Sequence, residues 1–139
     1  MFNGHLLIHR EAANDFWALP GGRVEFFETS EETINREILE ELGHKCKVVR
    51  HLWHVENFFE LESRRFHELA NYFLVSLTTQ PVIESEHDFK GIEISVNLVF
   101  RWVPLQKLNN YNLKPEFLIN QVNDLPNSIQ TLIIDDINA

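Results

Sequence analysis

The segment from Thr29 to Gly43 carries the clearest structural signature in the chain, and any fold must accommodate it as a helix. Thr29 is followed three residues later by Glu32, which is the spacing of a capping box. Gly43 lies where helices commonly end in the left-handed conformation. Between these caps, apolar residues recur every four positions and predict the buried face of the helix: Ile34, Ile38 and Leu42.

The rest of the sequence alternates between apolar segments and turn signals, which predicts a single mixed domain over residues 1–139. Asn3-Gly4 favours a tight hairpin turn. The apolar segments predict strands at 5–9, 45–61, 66–77 and 92–102, a second helix at 115–122, and a short closing segment at 132–134. Apolar residues on both faces of 66–77 are typical of an interior strand covered on both sides. The regular alternation of 92–102 places Glu93 on the polar face of its strand.

Composition limits the ligands and the compartment. The chain of 139 residues has 12 basic and 21 acidic residues and a formal charge of −9, which argues against gripping nucleic acid by neutralising phosphates. Cys46 is the only cysteine, so no internal disulfide forms and we expect a reducing, cytoplasmic location. No segment reads as a signal peptide or is long and apolar enough to span a bilayer, so we expect no membrane partner.

Three glutamates converge on one face of the predicted helix. Glu37, Glu40 and Glu41 are spaced i, i+3 and i+4, and like charges at this spacing destabilise a helix unless something neutralises them. Hard divalent cations such as Mg²⁺ or Mn²⁺ prefer such oxygen ligands. A solvated acidic face is the ordinary alternative for three glutamates alone.

The residues around this cluster follow a longer pattern. Counting from Gly22, Glu28 follows after five residues, Arg36-Glu37 after seven more, and then come an apolar residue, Glu40-Glu41 and Gly43. This spacing resembles the Nudix box, G-x5-E-x7-R-E-U-x-E-E-x-G-U with U apolar, and departs from it only at the last position, His44. The run at 17–22 and the segments 101–105 and 115–118 are also similar to Nudix domains. The resemblance implies an α/β (α+β) fold, an α/β/α sandwich around a central mixed β-sheet.

The resemblance also implies an activity. It is the Mg²⁺- or Mn²⁺-dependent hydrolysis of a pyrophosphate bond in a nucleoside diphosphate linked to another moiety, such as a nucleoside triphosphate or a nucleotide sugar, by attack of water on phosphorus. Glu37 or Glu41 would orient or deprotonate the water, and Arg36 would pair with Glu28 to fix the helix face. The implied metal ligands are the carbonyl of Gly21 and the carboxylates of Glu37, Glu40 and Glu41.

Residues outside the helix supply further candidates. Some family members use another acid as base or ligand, and Glu93 is the first choice here, ahead of Glu86 and Asp88. The candidate substrate contacts are Trp17, Gly22, Phe58 and Phe59. Aromatic residues at such positions are more often core, and each of the acids is by itself more often a solvated surface residue.

Several histidines have simpler explanations. His51 and His54 lie three residues apart on a predicted strand and face opposite sides, so we expect no zinc site. His67 and Glu68 lie in a strand rich in aromatic residues, which predicts a satisfied core pair.

One departure from the family and two alternative functions remain open. The Asn3-Gly4 turn leaves the first strand short or missing, so either the chain begins late or a partner subunit completes the sheet, which allows for a homodimer. A catalytically weak Nudix domain would serve as a nucleotide-binding or interaction module. An isomerase of isoprenyl diphosphates, which shares the fold, would need a reactive thiol, for which Cys46 is the candidate.

Overall fold

A computed structural model describes residues 1–138 of the chain. The chain forms two compact units. The first comprises Met1–Lys47 and Ser76–Asp124, and the second comprises Val48–Val75 and the chain from Leu125 on. The single domain over 1–139 stays a prediction.

The first unit contains a three-stranded antiparallel sheet. Its strands are β1 (His5–Glu11), β4 (Asp88–Lys90) and β5 (Leu98–Pro104), in the order β1-β5-β4. Leu7 pairs with Trp102 and Phe89 with Phe100. Before β1, the backbones of Phe2 and His5 exchange two hydrogen bonds of 2.9 Å around Asn3-Gly4, so the predicted tight turn is confirmed.

The helix α1 (Ser30–Leu42) confirms the strongest expectation from the sequence. The Thr29 hydroxyl accepts a hydrogen bond from the Glu32 amide at 3.1 Å, and the Glu32 carboxylate accepts one from the Thr29 amide at 3.0 Å. Gly43 ends the helix with a φ of 71°. In the predicted stripe Ile38 is buried, whereas Ile34 and Leu42 are half-buried.

The predicted strand over 92–102 is wrong in its first half. Only β5 forms, and the side chains of Ile92 and Ile94 are 62% and 101% exposed. The Ile92 amide donates to the carbonyl oxygen of Glu41 at the end of α1, at 2.8 Å, instead of joining a sheet. Glu93 is therefore not on a strand face. The strand β4 lies just before this segment, at Asp88–Lys90.

The second unit contains the sheet β3-β2-β6, in which β2 (Cys46–Leu61) is central. The strand β3 (Arg64–Leu77) follows β2 after a two-residue turn, which makes the pair antiparallel, and β6 (Gln130–Asp135) is parallel to β2. The ends of β2 and β3 at 46–47 and 76–77 belong to the first unit. Trp53 and Val55 on β2 are buried.

Two predictions about β3 are wrong. It is an outer strand of its sheet, and Leu69 is 66% exposed, so it is not covered on both faces. His67 is not part of a core pair with Glu68. Its side chain is 54% exposed, its Nε2 lies 2.7 Å from the Glu56 carboxylate, and its ring stacks on Phe58 at 4.2 Å.

The remaining elements are short. A 3₁₀ helix spans Leu105–Asn110, and α2 spans Phe117–Gln121 within the predicted helix 115–122. The chain is a mixed α+β protein that contains parallel and antiparallel strand pairs, so the predicted fold class is confirmed. Among the helices of residues 1–138, none has the length and apolar composition required to cross a membrane.

Candidate active site

Arg36 is the centre of the ion pairs on the acidic face of α1. Its Nε and Nη2 donate to the two carboxylate oxygens of Glu28 at 2.7 and 3.0 Å, a bidentate pair. Its Nη1 donates to Glu37 at 2.9 Å and to Glu40 at 3.3 Å, and lies 3.6 Å from Glu25. The predicted pairing of Arg36 with Glu28 is present, and the guanidinium also bridges the loop before α1 to the glutamates of the helix.

Glu28 is held in its charged form by its neighbours. Hydrogen bonds from Arg36 and then from the Thr33 hydroxyl, the latter at 2.7 Å, lower the pKa of Glu28 to about 2. The same contact with Glu28 raises the pKa of Arg36. Both groups therefore stay charged near neutral pH, so neither exchanges a proton with its surroundings there.

Glu41 has the opposite environment. It is 5% exposed, and its Oε2 has no hydrogen-bond partner. Burial, followed by the neighbouring Glu37 carboxylate, raises the pKa of Glu41 to about 8. Glu93 and Glu40 raise it further. An ionised carboxylate here lacks a compensating charge, so the position would be stabilised by a cation.

The loop before α1 approaches the helix closely at Gly22. A Cβ atom on Gly22 would overlap the carboxylate of Glu37, so a side chain at this position would displace that carboxylate. Gly21 lies beside Ile34 of the same helix, whose Cδ1 would be 3.9 Å from a Cβ on Gly21. The missing side chain of Gly22 thus lets the backbone reach a carboxylate of the acidic face.

The three candidate acids beyond the helix differ in their partners. The carboxylate of Glu86 accepts hydrogen bonds of 2.8 Å from both Lys107 and Tyr111, and Asp88 accepts one of 2.6 Å from Arg101. Glu93 is half-buried and close enough to Glu41 to raise the pKa of Glu41. Its place near the helix end follows from the Ile92–Glu41 hydrogen bond and not from the strand face that the sequence predicted.

The acidic face fits a divalent cation held by two carboxylates. Within residues 1–138, no three His, Cys, Asp or Glu side chains are grouped so that they could hold a metal ion. Arg36 engages Glu40 and one oxygen of Glu37. Glu41, with its unpartnered buried oxygen, and the adjacent Glu37 remain. Mg²⁺ is usually bound by one or two carboxylates together with substrate phosphates, and this donor set suits that mode.

The aromatic candidates have structural partners. Trp17 is 8% exposed, and its ring contacts the guanidinium groups of Arg10 and Arg101, at 5.2 and 5.1 Å from the ring centroid. Phe58 and Phe59 lie on β2 in the second unit, where Phe58 stacks on His67 and Phe59 stacks on Phe66. A role in substrate binding stays a prediction for all three.

Three contributors were not predicted from the sequence. Thr33 donates to Glu28, Glu25 approaches Arg36, and the carbonyl oxygen of Arg23 accepts from Arg36 at 3.2 Å. The spacing of Glu28 and Thr33 across the helix start was a usable signal, because an acid beside an N-cap faces the first turn. The other two contacts depend on the path of the loop and carry no sequence signal.

Comparisons with known proteins point to one family. A family model described as NUDIX domain matches residues 1–121. The mutator protein MutT4 of Mycobacterium tuberculosis is 30% identical over 92 residues, which are 66% of this chain and 34% of MutT4. The nucleoside triphosphatase NudI of Klebsiella pneumoniae is 29% identical over 120 residues, covering 79% of this chain and 80% of NudI. The chain thus spans about a third of the length of the first relative.

A solved structure shares the fold. The crystal structure of a UDP-X diphosphatase superimposes with a TM-score of 0.53 at 22% identity and covers 96% of this chain and 62% of that chain. At this identity the likeness shows the fold alone.

Proposed function

The chain belongs to the NUDIX domain family, and on that premise we propose that it hydrolyses a pyrophosphate bond in a nucleoside diphosphate linked to another group, with Mg²⁺ or Mn²⁺ as cofactor. The observation that carries the proposal is the buried, unpartnered carboxylate oxygen of Glu41 beside the carboxylate of Glu37. A fold keeps such a costly arrangement where a ligand compensates it, and strongly shifted pKa values of this kind cluster at functional sites.

Some residues of the proposed site would bind the cation, and others orient the residues that bind it. A divalent cation supplies charge neutralisation for the phosphate oxygens and makes a bound water more acidic. Glu37 and Glu41 would hold that cation, together with the carbonyl of Gly21, and one of the two carboxylates would take the proton from the attacking water. Glu40 would be a further ligand if it left Arg36. Glu93 adds negative charge beside Glu41 and strengthens the site for a cation.

The scaffold of the site is the Arg36–Glu28 pair. The bidentate contact fixes the guanidinium, which in turn holds the Glu37 carboxylate in one orientation. Gly22 allows the loop backbone to lie against that carboxylate. We place the enzyme in the cytoplasm because its lone cysteine fits a reducing compartment.

Nucleoside triphosphates are the first substrates to test. The relative that aligns over 80% of its own length is named a nucleoside triphosphatase, and this supports the choice. Nucleotide sugars form the second group of the panel. Because the proposed site addresses the phosphates and not the base, the pyrophosphate bond is the part of the substrate that all members of the panel must share.

The experiment is a hydrolysis assay with Mg²⁺ on the ribo- and deoxyribonucleoside triphosphates and several nucleotide sugars, with release of the nucleoside monophosphate as readout. Running the reaction in ¹⁸O-labelled water identifies the phosphorus atom that is attacked. We compare the wild type with Glu41→Gln and with the control Glu31→Gln, which removes an exposed carboxylate from the first turn of the same helix.

We expect turnover that requires the metal, is lost in Glu41→Gln and is unchanged in Glu31→Gln. Metal-independent turnover, or equal activity of the Glu41 variant, would refute the proposal. Tight nucleotide binding without turnover in saturating Mg²⁺ would assign the chain to nucleotide binding instead of hydrolysis.

A further inference from the structure

Two adjacent phenylalanines are almost fully exposed on the loop that precedes α1. Phe26 and Phe27 are 88% and 94% exposed, and their ring centroids are 4.4 Å apart with an interplanar angle of 56°. Val24 on the same loop is 54% exposed. Isolated exposed apolar side chains are ordinary, but a contiguous group of this kind indicates a surface that binds something.

The backbone at this loop does not favour a phenylalanine. The Glu28 amide donates to the carbonyl oxygen of Glu25 at 3.0 Å, which closes a four-residue turn, and Phe27 occupies its third position with a φ of 63°. Glycine is the residue best suited to a positive φ at this position of a turn. The ring of Phe27 gains almost no packing in exchange for the strain. Neither ring is therefore explained by the stability of the fold.

The turn is fixed to the acidic face of α1. Glu25 before the two rings and Glu28 after them both contact the guanidinium of Arg36, which also binds Glu37. The two rings therefore stand on a tethered turn beside the proposed phosphate site.

The charge around the rings limits what can cover them. Residues 23–41 contain seven acidic side chains against two basic ones. A second copy of the same surface, an anionic membrane and a nucleic acid strand are all repelled by this charge. A neutral planar group can bind this acidic surface. If the same ligand also carries phosphates, the cation of the adjacent site would neutralise their negative charge.

We propose that Phe26 and Phe27 form the stacking surface for the aromatic base of the nucleotide substrate. This inference rests on the function proposed above and adds the residues that bind the base. Every nucleobase offers a π face, so stacking of this kind tolerates changes of base. The substrate class is therefore defined by the presence of a base and not by its hydrogen-bonding edge.

The test compares the wild type with the double variant Phe26→Ala/Phe27→Gly. Base stacking on an aromatic side chain is typically worth about 1–3 kcal/mol, so KM for nucleoside triphosphates should rise about 5- to 150-fold, with kcat little changed. Any turnover of inorganic tripolyphosphate, which has no base, should be the same in both proteins. The double variant Phe26→Tyr/Phe27→Tyr should restore KM, and Val82→Ala, at another exposed apolar residue of the first unit, should leave it unchanged.

Folding is followed separately. The single variant Phe27→Gly should unfold at the same temperature as the wild type or higher, because glycine relieves the strained φ, while its KM still rises. A lower unfolding temperature would assign the ring to the structure of the loop. Sedimentation of the wild type and the double variant tests whether a second copy of the chain covers the rings instead. Loss of a dimer in the variant, with an unchanged KM, would assign the rings to contact between copies.

Failure of this inference and failure of the proposed hydrolysis are distinguishable. Normal turnover with an unchanged KM in the double variant refutes the stacking surface alone. If the wild type hydrolyses none of the substrates, calorimetry of guanosine 5′-(α,β-methylene)triphosphate binding with Mg²⁺ tests whether the two rings bind the base. Binding that is weakened at least fivefold in the double variant supports the stacking surface, and equal or absent binding refutes it.

Discussion

Removing the buried charge of Glu41 should stabilise the protein while it destroys the proposed activity. The pKa of Glu41 is about 8 in the folded chain against an ordinary value of 4.5. Between these two values the unfolded state binds fewer protons than the folded state, so the stability falls as the pH rises. Each pKa unit corresponds to 1.36 kcal/mol, so the loss from this group reaches about 3–5 kcal/mol at pH 8. Glu41 is only 5% exposed, so screening by solvent reduces this loss of stability very little.

The assay is urea unfolding of the wild type and Glu41→Gln in EDTA at several pH values between 5 and 8. The free energy of unfolding of the wild type should decline over this range, and that of Glu41→Gln should be nearly constant. The glutamine is neutral and donates a hydrogen bond to Glu37, so the two proteins should differ little at pH 5 and by about 3–5 kcal/mol at pH 8. Glu31→Gln should follow the wild type.

Adding Mg²⁺ at pH 8 completes the experiment. The wild type should regain about 2.7 kcal/mol at a metal concentration 100 times the dissociation constant, and Glu41→Gln should regain much less. The reasoning is refuted if Glu41→Gln is no more stable than the wild type in EDTA at pH 8, or if both proteins show the same pH dependence.

Three further predictions concern the neighbours of this carboxylate. Gly22→Ala should lower kcat/KM about 100-fold, because the added Cβ displaces the Glu37 carboxylate, and an unchanged rate with a nucleoside triphosphate would contradict the proposed role of Glu37. Arg36→Lys should cost about 10- to 100-fold in metal affinity, because lysine cannot make the bidentate contact with Glu28, and a magnesium titration of the activity measures it. Cys46→Ala should keep the hydrolysis rate within about twofold, since burial raises the pKa of this thiol and disfavours its reactive form; an isomerase of isoprenyl diphosphates would lose all activity in the same variant.

The sequence predicted most accurately those features that depend on neighbours within one or two helical turns. The caps of α1 at Thr29 and Gly43 were predicted, and both are present, because each depends on hydrogen bonds within a few residues. The pairing of Arg36 with Glu28 was also predicted, over a separation of eight residues, because the pattern of the family fixes both positions.

The solvent exposure of side chains was predicted less well. The strand β3 has apolar residues on both faces, which is typical of a covered strand, yet Leu69 is exposed and β3 is an outer strand of its sheet. The sequence of a strand reports how apolar it is and carries no information on how many elements pack against it. The same limit explains the incorrect assignment of His67 to the core.

The wrong strand at 92–97 is explained by a contact with the end of α1. Gly91 lies so close to the end of α1 that a Cβ there would overlap the carbonyl oxygen of Glu41, and the Ile92 amide donates to that oxygen. This contact draws the segment away from β5 and brings Glu93 near the Glu41 carboxylate. The alternation of apolar residues at 92–97 could not reveal it, because a periodicity describes one segment and the contact joins two that are fifty residues apart. The helical spacing could therefore predict which acids share a face, but it could not predict the raised pKa of Glu41, which depends first on burial and then on the Glu37 carboxylate, with a smaller contribution from Glu93.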